Sequence, residues 1–203
     1  DATFGLQFLC ARKLVPEIPG LKEKLDHGAA LLEVGPGSAR LLLMLAKAYP
    51  EARLVGVDID PTGVRLGREA VANAGLASRI EIIEGSVDEA AARGSYAAVV
   101  LVEVLHEIAQ PLRPAVIAAC HRALAPGGWL IVVDETYPGS TDELRDPAAR
   151  FAVQTAFEEL HWGNIIPTRA EQETLLADAG LAHVEREVMG EGFTILKAQR
   201  AAE

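Results

Sequence analysis

The chain has 203 residues, half of them apolar, with 19 basic and 29 acidic residues and a net charge of −10. This length and apolar content suffice for one well-filled core, which favours a single domain and excludes a disordered protein. The negative charge opposes binding to a phosphate backbone, and no apolar run approaches the roughly 20 residues of a membrane span. We therefore expect neither a nucleic acid nor a membrane as partner.

The N-terminal segment, residues 1–27, has the pattern of helix and loop. Its amphipathic stretch FGLQFLCARKL suits a lid, a docking surface or a plain covering helix, and its apolar residues would suit a homodimer contact. The chain starts at Asp1 rather than Met, which allows for a further N-terminal domain upstream. Cys10 and Cys120 have no paired spacing, and Cys120 lies among apolar residues. We predict a buried free thiol there and a cytoplasmic location.

From Gly28 onward, short apolar runs alternate with longer helical segments, as in a parallel sheet covered by helices on both faces. We predict strands near 30–35, 53–58, 79–84, 97–103 and 129–135. The runs HVEREVMG and FTILKAQR follow near the end, separated only by EG. Such a short link containing glycine favours an antiparallel hairpin.

Helix ends are marked by capping residues. Asp60 is placed to cap the helix after the second strand, with Pro61 in its first turn and Gly75 at its end. Thr168 and Glu171 have the spacing of a capping box for a later helix.

The loop after the first strand, in LLEVGPGSAR, points to a ligand close to the backbone. Gly35 and Gly37 are present, but Arg40 occupies the third glycine position of the dinucleotide fingerprint, and no Gly-Lys-Ser/Thr follows for a P-loop. Asp58 ends the second strand, where a carboxylate can accept hydrogen bonds from both ribose hydroxyls. Glu33 could meet a cationic group, or it could be a strand-end acid satisfied by backbone amides. These features predict a phosphate-free adenosine ligand.

Five motifs in order, EVGPGSA, VGVDID, EIIEGSVDE, AAVVLVEVLHEI and ALAPGGWLIVVDE, resemble the class I S-adenosylmethionine-dependent methyltransferases. The resemblance covers roughly residues 28–199, within a predicted domain at 28–203. It implies an α/β, Rossmann-like, doubly wound sheet of seven strands, mostly parallel, with a C-terminal antiparallel hairpin. It also implies S-adenosylmethionine as cofactor and S-adenosylhomocysteine as product.

The resemblance also implies which residues contact the cofactor. They are Glu33, Gly35, Gly37, Asp58, Ile59, Ser86, Val87 and Glu103. Two positions depart from the family pattern. Ser86 follows the glycine of the third-strand motif, where the family often has an acid that meets the adenine, and Asp88 comes two residues later. Ala39 replaces the third glycine of the first motif.

The fourth strand runs into EVLHEI, which places His106 and Glu107 just beyond its carboxyl end. Methyl transfer requires aligned donor and acceptor, and a hydroxyl acceptor gains from a base such as histidine. This order resembles small-molecule O-methyltransferases that use a histidine here as base, with Asp134 matching an acid that positions it or the substrate. Alternatively, His106 only packs, and Glu107 is a first-turn helix acid. Gln110 breaks the H-E-x-x-H pattern, so we predict no metal.

Residues for the acceptor are expected after the fifth strand, where family members insert recognition elements. The predicted substrate contacts are Glu107, Tyr137, Phe157, His161, Trp162 and Asn164. The alternative is that Phe151, Thr155 and Trp162 form the core face of one helix.

These features favour methyl transfer from S-adenosylmethionine to a small, largely apolar acceptor, at a hydroxyl oxygen. One alternative is a nucleotide-dependent oxidoreductase, which Arg40 and the terminal hairpin oppose. The other is a non-catalytic protein that binds S-adenosylmethionine and acts as a partner.

Overall fold

The computed structural model describes residues 2–189 and 193–202. Its strands are β1 Ala30–Val34, β2 Arg53–Asp58, β3 Ile80–Glu84, β4 Tyr96–Val102, β5 Leu124–Glu135, β6 Leu181–Met189 and β7 Phe193–Arg200. They form one sheet in the order β3-β2-β1-β4-β5-β7-β6. Strands β1 to β5 are parallel, and β7 pairs antiparallel with both β5 and β6. The predicted fold class is confirmed, while the hairpin link at 190–192 lies outside the described residues.

Ten α-helical segments accompany the sheet in the described ranges. They are α1 Ala2–Leu9, α2 Val15–Glu17, α3 Leu21–Asp26, α4 Arg40–Ala48, α5 Pro61–Asn73, α6 Val87–Ala91, α7 Arg113–Ala123, α8 Thr141–Arg145, α9 Arg150–Trp162 and α10 Arg169–Asp178. Helices α1 to α5 contribute to the core on one face of the sheet, and α6, α7 and α10 contribute to the core on the other. Among the described helices, none combines the length and apolar character that crossing a bilayer would require.

The N-terminal segment covers one face of the sheet. A π-helical turn, Cys10–Leu14, joins α1 to α2, and Leu6, Cys10 and Leu14 are buried in the core beneath it. Phe4 and Phe8 lie on its exposed side. A covering role therefore accounts for its buried side chains, and its role as lid, docking surface or dimer contact stays a prediction.

The predicted capping residues are confirmed at α5. At α10 the threonine caps the helix as predicted, but the glutamate of the predicted capping box has a different partner. The Asp60 carboxylate accepts hydrogen bonds from the backbone N–H groups of Thr62 and Gly63, each at 3.0 Å, and α5 is followed by Gly75 at φ 68°. At α10, the Thr168 hydroxyl accepts from the N–H of Glu171. The Glu171 carboxylate itself binds Arg113 at 2.7 Å.

One predicted helix begins later than expected. Helix α7 starts at Arg113, after a 3₁₀ turn at Gln110–Leu112, so Glu107 lies in a turn and not in a first helical turn. Proline at positions 111 and 114 explains this start, because proline fits a helix beginning but not its interior. The reading of Glu107 as a first-turn helix acid is therefore wrong.

The buried thiol predicted at Cys120 is confirmed. Both Cys10 and Cys120 are free and fully buried. Burial raises the pKa of each thiol, to about 12 for Cys120. Neither cysteine therefore offers a reactive thiolate.

Candidate active site

The loops that follow β1, β2, β4 and β5 meet at one edge of the sheet, the edge formed by the carboxyl ends of its parallel strands. Strands β1 and β4 are neighbours, although β2 and β3 intervene in sequence, so the chain direction across the sheet reverses between them. In open α/β sheets, ligands bind at this switch point beyond the carboxyl ends of the strands. The predicted cofactor loop and the predicted catalytic histidine lie on its two sides.

The glycine loop after β1 adopts backbone angles that favour glycine. Gly35 has φ 66° and Gly37 has φ 48°. A Cβ at Gly35 would lie 2.7 Å from Val104 Cγ2, whereas a Cβ at Gly37 would meet nothing within 4 Å. Gly35 is thus needed for packing, and Gly37 opens the loop to a ligand. Ala39, at φ 58°, takes the left-handed conformation that glycine would adopt more easily.

The Asp58 carboxylate joins the ends of β1 and β2. Its Oδ2 accepts a hydrogen bond from the N–H of Gly37 at 3.2 Å, and its Oδ1 accepts from the N–H of Asp60 at 2.9 Å. A carboxylate has about four acceptor positions, so these two bonds leave acceptor capacity for a ribose diol. The next residue, Ile59, is an exposed apolar side chain beside this site.

Helix α5 approaches this loop closely because it presents glycine. A Cβ added at Gly67 would lie 2.8 Å from the carbonyl oxygen of Gly37, and one at Gly63 would lie 3.0 Å from Asp58 Oδ2. The loop and the carboxylate are therefore held against helix backbone.

The predicted adenine contacts lie after β3. Ser86 caps α6, and its hydroxyl donates to Glu89 Oε2 at 2.7 Å. The Val87 side chain is buried in the core, and Asp88 pairs with Arg122 at 2.6 Å on the surface. The roles of Ser86 and Val87 toward a cofactor stay predictions.

Two acids at the edge, each with one buried carboxylate oxygen, fit a cationic ligand. Glu33 Oε2 and Glu103 Oε1 are buried without a hydrogen-bond partner among the described residues. Burial raises the pKa of Glu33 to about 8; it also raises that of Glu103 to about 8, with the charge of Asp134 adding to the effect. Glu103 has φ 59°, a strained conformation for a non-glycine residue. A cation such as an ammonium or sulfonium would compensate these desolvated oxygens.

His106 is held by Asp134 from the neighbouring strand. The imidazole is 4% exposed, and its Nδ1 lies 2.7 Å from Asp134 Oδ1. Burial alone would lower the pKa of His106. The hydrogen bond and charge of Asp134, with the charges of Glu103 and Glu159, outweigh burial and raise it to about 9.

Asp134 is fully occupied by N–H donors. Oδ2 accepts from the backbone N–H of Leu105 at 2.7 Å and of His106 at 3.3 Å, and Oδ1 also accepts from the N–H of Glu135 at 2.7 Å. Ligand atoms of Glu103, His106 and Asp134 lie within 4.8 Å of one another, a spacing that a metal ion could use. A metal would have to displace these donors, so the arrangement suits orientation of the imidazole better than coordination.

Glu159 belongs to the site but was not predicted from the sequence. This acid of α9 places Oε2 3.6 Å from His106 Nε2, and the same oxygen accepts from Asn164 Nδ2 at 2.8 Å. A signal was present: Glu159 follows the buried Ala152 by seven residues and the buried Ala156 by three, which places it on the packed face of the helix. An acid on such a face warrants a functional interpretation.

Arg113 connects the His106 loop to α10 and to the segment that follows α9, the helix of Glu159. Its side chain is fully buried; Nε donates to the Ile108 carbonyl at 3.0 Å and Nη2 to the His106 carbonyl at 3.3 Å. It also binds the carbonyl of Ile165 and the Glu171 carboxylate, which belong to the chain after α9 and to α10. No motif singled out this residue.

The predicted substrate residues divide into two groups. Glu107 lies close enough to His106 and Glu159 to interact with their charges, and burial raises its pKa. Asn164 supports Glu159, and Tyr137 is bound through its backbone N–H to the Pro167 carbonyl at 2.9 Å.

The other group comprises Phe157, His161 and Trp162, which are exposed on α9. The rings of Phe157 and His161 contact each other edge to face at 5.0 Å. Trp162 is 73% exposed, so the alternative that it belongs to a core face is wrong. Substrate roles for these three residues stay predictions.

Comparison with known proteins relates this chain to methyltransferases. A family model described as "Methyltransferase domain" matches residues 31–128. Two curated relatives carry O-methyltransferase names assigned by inference. The one from Mycolicibacterium paratuberculosis (strain K-10) is 33% identical over 144 residues, which are 68% of this chain and 61% of that protein. The one from Mycobacterium tuberculosis (strain H37Rv) is 34% identical over 142 residues, with the same shares. The chain thus spans about three fifths of the length of these relatives.

A solved structure shows the same fold. It is that of an O-methyltransferase family 2 protein from Planctomyces limnophilus, in complex with apigenin. Its TM-score is 0.73 at 20% identity, and the match covers 98% of this chain and 60% of that chain. Taken with the methyltransferase domain matched over residues 31–128, this shows that the chain contains a methyltransferase domain with the fold of the class I S-adenosylmethionine-dependent methyltransferases.

Proposed function

We propose that the protein transfers a methyl group from S-adenosylmethionine to a hydroxyl oxygen of a small, largely apolar acceptor, with His106 as general base. The observation that carries the proposal is the position of His106 at the switch point, where Asp134 fixes Nδ1 and leaves Nε2 facing Glu159. The O-methyltransferase names of the curated relatives support an oxygen acceptor. The neighbour in complex with apigenin supports a small-molecule acceptor.

The residues that would hold the cofactor are those that line the edge on the β1 and β2 side. The loop of Gly35 and Gly37, opened at Gly37, would admit its methionine part, Asp58 its ribose, and Glu33 and Glu103 its positive charge. When bound, the cofactor supplies an electrophilic methyl group on a sulfonium, with S-adenosylhomocysteine as an excellent leaving group. The protein then has to align the acceptor, exclude water and remove a proton.

Proton removal falls to His106 in this proposal. Its Nε2 would accept the hydroxyl proton of the acceptor, and Asp134 would stabilise the resulting imidazolium without accepting the proton, since all its contacts are N–H donors. Glu159 stands 3.6 Å from Nε2 and adds negative charge next to the imidazolium.

The first prediction concerns the protonation of His106. Because its pKa is raised from 6.5 to about 9, we expect the imidazole to keep its proton as pH rises through 7 and 8. This shift stabilises the fold fully below pH 6.5, and the contribution is lost as pH rises toward 9. An NMR titration of the histidine side chains measures it, with the His106 signal assigned by its loss in His106→Gln.

The same shift sets the pH dependence of turnover. A base must be neutral to accept a proton, so methyl transfer should rise with pH through the neutral range. A bound sulfonium would repel the imidazolium and move this rise to lower pH. A His106 signal that titrates at or below 6.5 in the free protein would contradict the prediction.

The second prediction tests the cofactor. We expect S-adenosylmethionine and S-adenosylhomocysteine to bind the purified protein, and Asp58→Ala to weaken both by about tenfold or more, because a charged acceptor for the ribose hydroxyls is lost. Calorimetry measures both affinities. Asp26→Ala is the matched control, since Asp26 forms an exposed ion pair with Lys22 in the N-terminal segment.

The same titrations separate the alternatives. Binding of NADH in place of the methionine cofactors would overturn the proposal in favour of an oxidoreductase. Cofactor binding with no methyl transfer to a panel of hydroxyl acceptors would favour a non-catalytic binding protein.

A further inference from the structure

A cavity lies at the same edge of the sheet, on the side of β5 away from β4. It has a volume of about 280 Å³ and is bounded by the loop after β5, by α8, by the beginnings of α9 and α10, and by the terminal hairpin. The polar residues used below are Thr136, Glu143, Asp146, Arg169 and Arg186. None of them has a role in the methyl-transfer site.

Arg186 supplies an unsatisfied cation to this cavity. Its side chain is only 15% exposed. Nη2 donates to Gln172 Oε1 at 2.9 Å, and Nη1 lies 3.4 Å from Thr136 Oγ1. Nε is buried and has no hydrogen-bond partner among the described residues. Since buried N–H donors are nearly always paired, this donor calls for an acceptor.

The counter-charge near Arg186 is shared. The Glu173 carboxylate oxygen lies 3.9 Å from Arg186 Nε, beyond hydrogen-bond distance, and the same oxygen accepts from Arg169 Nε at 2.7 Å. Two guanidinium groups thus depend on one carboxylate. Burial and the neighbouring charge of Arg169 lower the pKa of Arg186, as expected for a cation short of negative partners.

The opposite wall is acidic, but its carboxylates are engaged by backbone amides. Glu143 Oε2 accepts from the N–H of Gly139 at 2.9 Å, and Asp146 Oδ1 accepts from the N–H of Ala148 at 2.9 Å. The cavity therefore has one cationic wall, on β6 and α10, and one acidic wall, around α8. This polarity orients a ligand, with its anionic group toward the arginines.

We propose that this cavity binds a carboxylate group of a small molecule, with Arg186 and Arg169 as its donors. A carboxylate matches the planar N–H fork of arginine and would add a second negative charge for the two guanidinium groups that share Glu173. The carboxylate belongs either to the methyl acceptor or to a separate small acid. The first of these cases rests on the proposed function.

The test uses benzoate as probe and benzamide as its neutral analogue, with binding followed by calorimetry and by NMR shifts of residues around the cavity. We expect benzoate to bind the wild-type chain and benzamide not to bind. Arg186→Gln and Arg169→Gln should each weaken benzoate binding by about tenfold or more. Arg169 lies on the surface with a 67% exposed side chain, so its variant keeps the test valid if Arg186→Gln does not fold.

Arg65→Gln is the matched control, because Arg65 forms an exposed pair with Glu69 on α5. The proposal is overturned if benzoate does not bind, if benzamide binds equally well, or if the two cavity variants bind benzoate as the control does. These results do not depend on turnover, so they stand even if the proposed methyl transfer fails.

A kinetic arm distinguishes the two sources of the carboxylate. If it belongs to the acceptor, benzoate raises the KM for the acceptor and leaves kcat unchanged. If it belongs to a separate acid, benzoate binds without competing with the acceptor.

Discussion

Replacement of His106 by glutamine is expected to lower the turnover number for methyl transfer by about 10²–10⁴-fold. Glutamine can still hydrogen-bond to Asp134, but its amide cannot take a proton at neutral pH. Affinity for S-adenosylmethionine should not fall, since Gly37 and Asp58 on the cofactor side do not contact the imidazole, and glutamine removes a positive charge that would repel the sulfonium. Steady-state kinetics on an accepted hydroxyl substrate and calorimetry with the cofactor measure the two quantities.

The matched control for this variant is His27→Gln. His27 is exposed at the end of α3, where Nδ1 lies 2.7 Å from the Glu23 carbonyl oxygen. It should leave turnover at the wild-type value. Wild-type turnover in His106→Gln would instead show that alignment of donor and acceptor suffices, and would exclude His106 as general base.

Arg113→Met is expected to lower the free energy of unfolding by about 3–5 kcal/mol, because it leaves the Glu171 carboxylate without its buried partner. The carbonyls of His106 and Ile108 lose a donor as well. For a chain of this size each kcal/mol corresponds to about 2–4 °C, so the melting temperature should fall by roughly 6–20 °C. Thermal and urea unfolding followed by circular dichroism measure the change.

Arg122→Met serves as the control for Arg113. Arg122 pairs with Asp88 on the surface, where their side chains are 55% and 63% exposed. Exposed ion pairs contribute little, so we expect a change of about 0–1 kcal/mol. Equal losses in the two variants would mean that Arg113 acts as an ordinary surface charge and does not organise the His106 loop.

The sheet could be predicted because its parallel strands are buried on both faces. The five residues of β1 and the seven of β4 are all buried, and such strands appear in sequence as continuous apolar runs. Helix ends were equally visible where one local residue decides them. Gly75 and Gly180 both adopt positive φ after a helix, which glycine permits at little cost.

The partners across the site could be predicted only where the topology makes them neighbours. His106 follows β4, and Asp134 lies near the end of β5, which pairs directly with β4, so the family order was enough to associate them. Glu159 comes from a helix whose placement over the edge depends on tertiary packing. Arg113 binds groups 52 and 58 residues away, Ile165 and Glu171, and no local pattern encodes such contacts.

The aromatic residues of α9 show a different limit. The size and position of Phe157 and Trp162 predict a substrate wall, yet both side chains lie exposed, while the small Ala152 and Ala156 form the packed face. Residue size does not reveal which side of a weakly amphipathic helix faces inward, because apolar side chains occur on both sides of this one.

The placement of β7 between β5 and β6 has a consequence for the order of assembly during synthesis. Strands β1 to β5 can pair as they emerge, but β6 has no partner in the sheet except β7, which follows it in sequence. The exposed flank of β5 is covered only when Trp129–Glu135 meets β7, where Thr194 stands opposite Asp134. A nascent chain halted before residue 193 therefore presents an open sheet edge, the kind of surface on which chains associate wrongly. Asp134, which orients His106, thus lies on a strand that is paired on both sides only when β7 has joined the sheet.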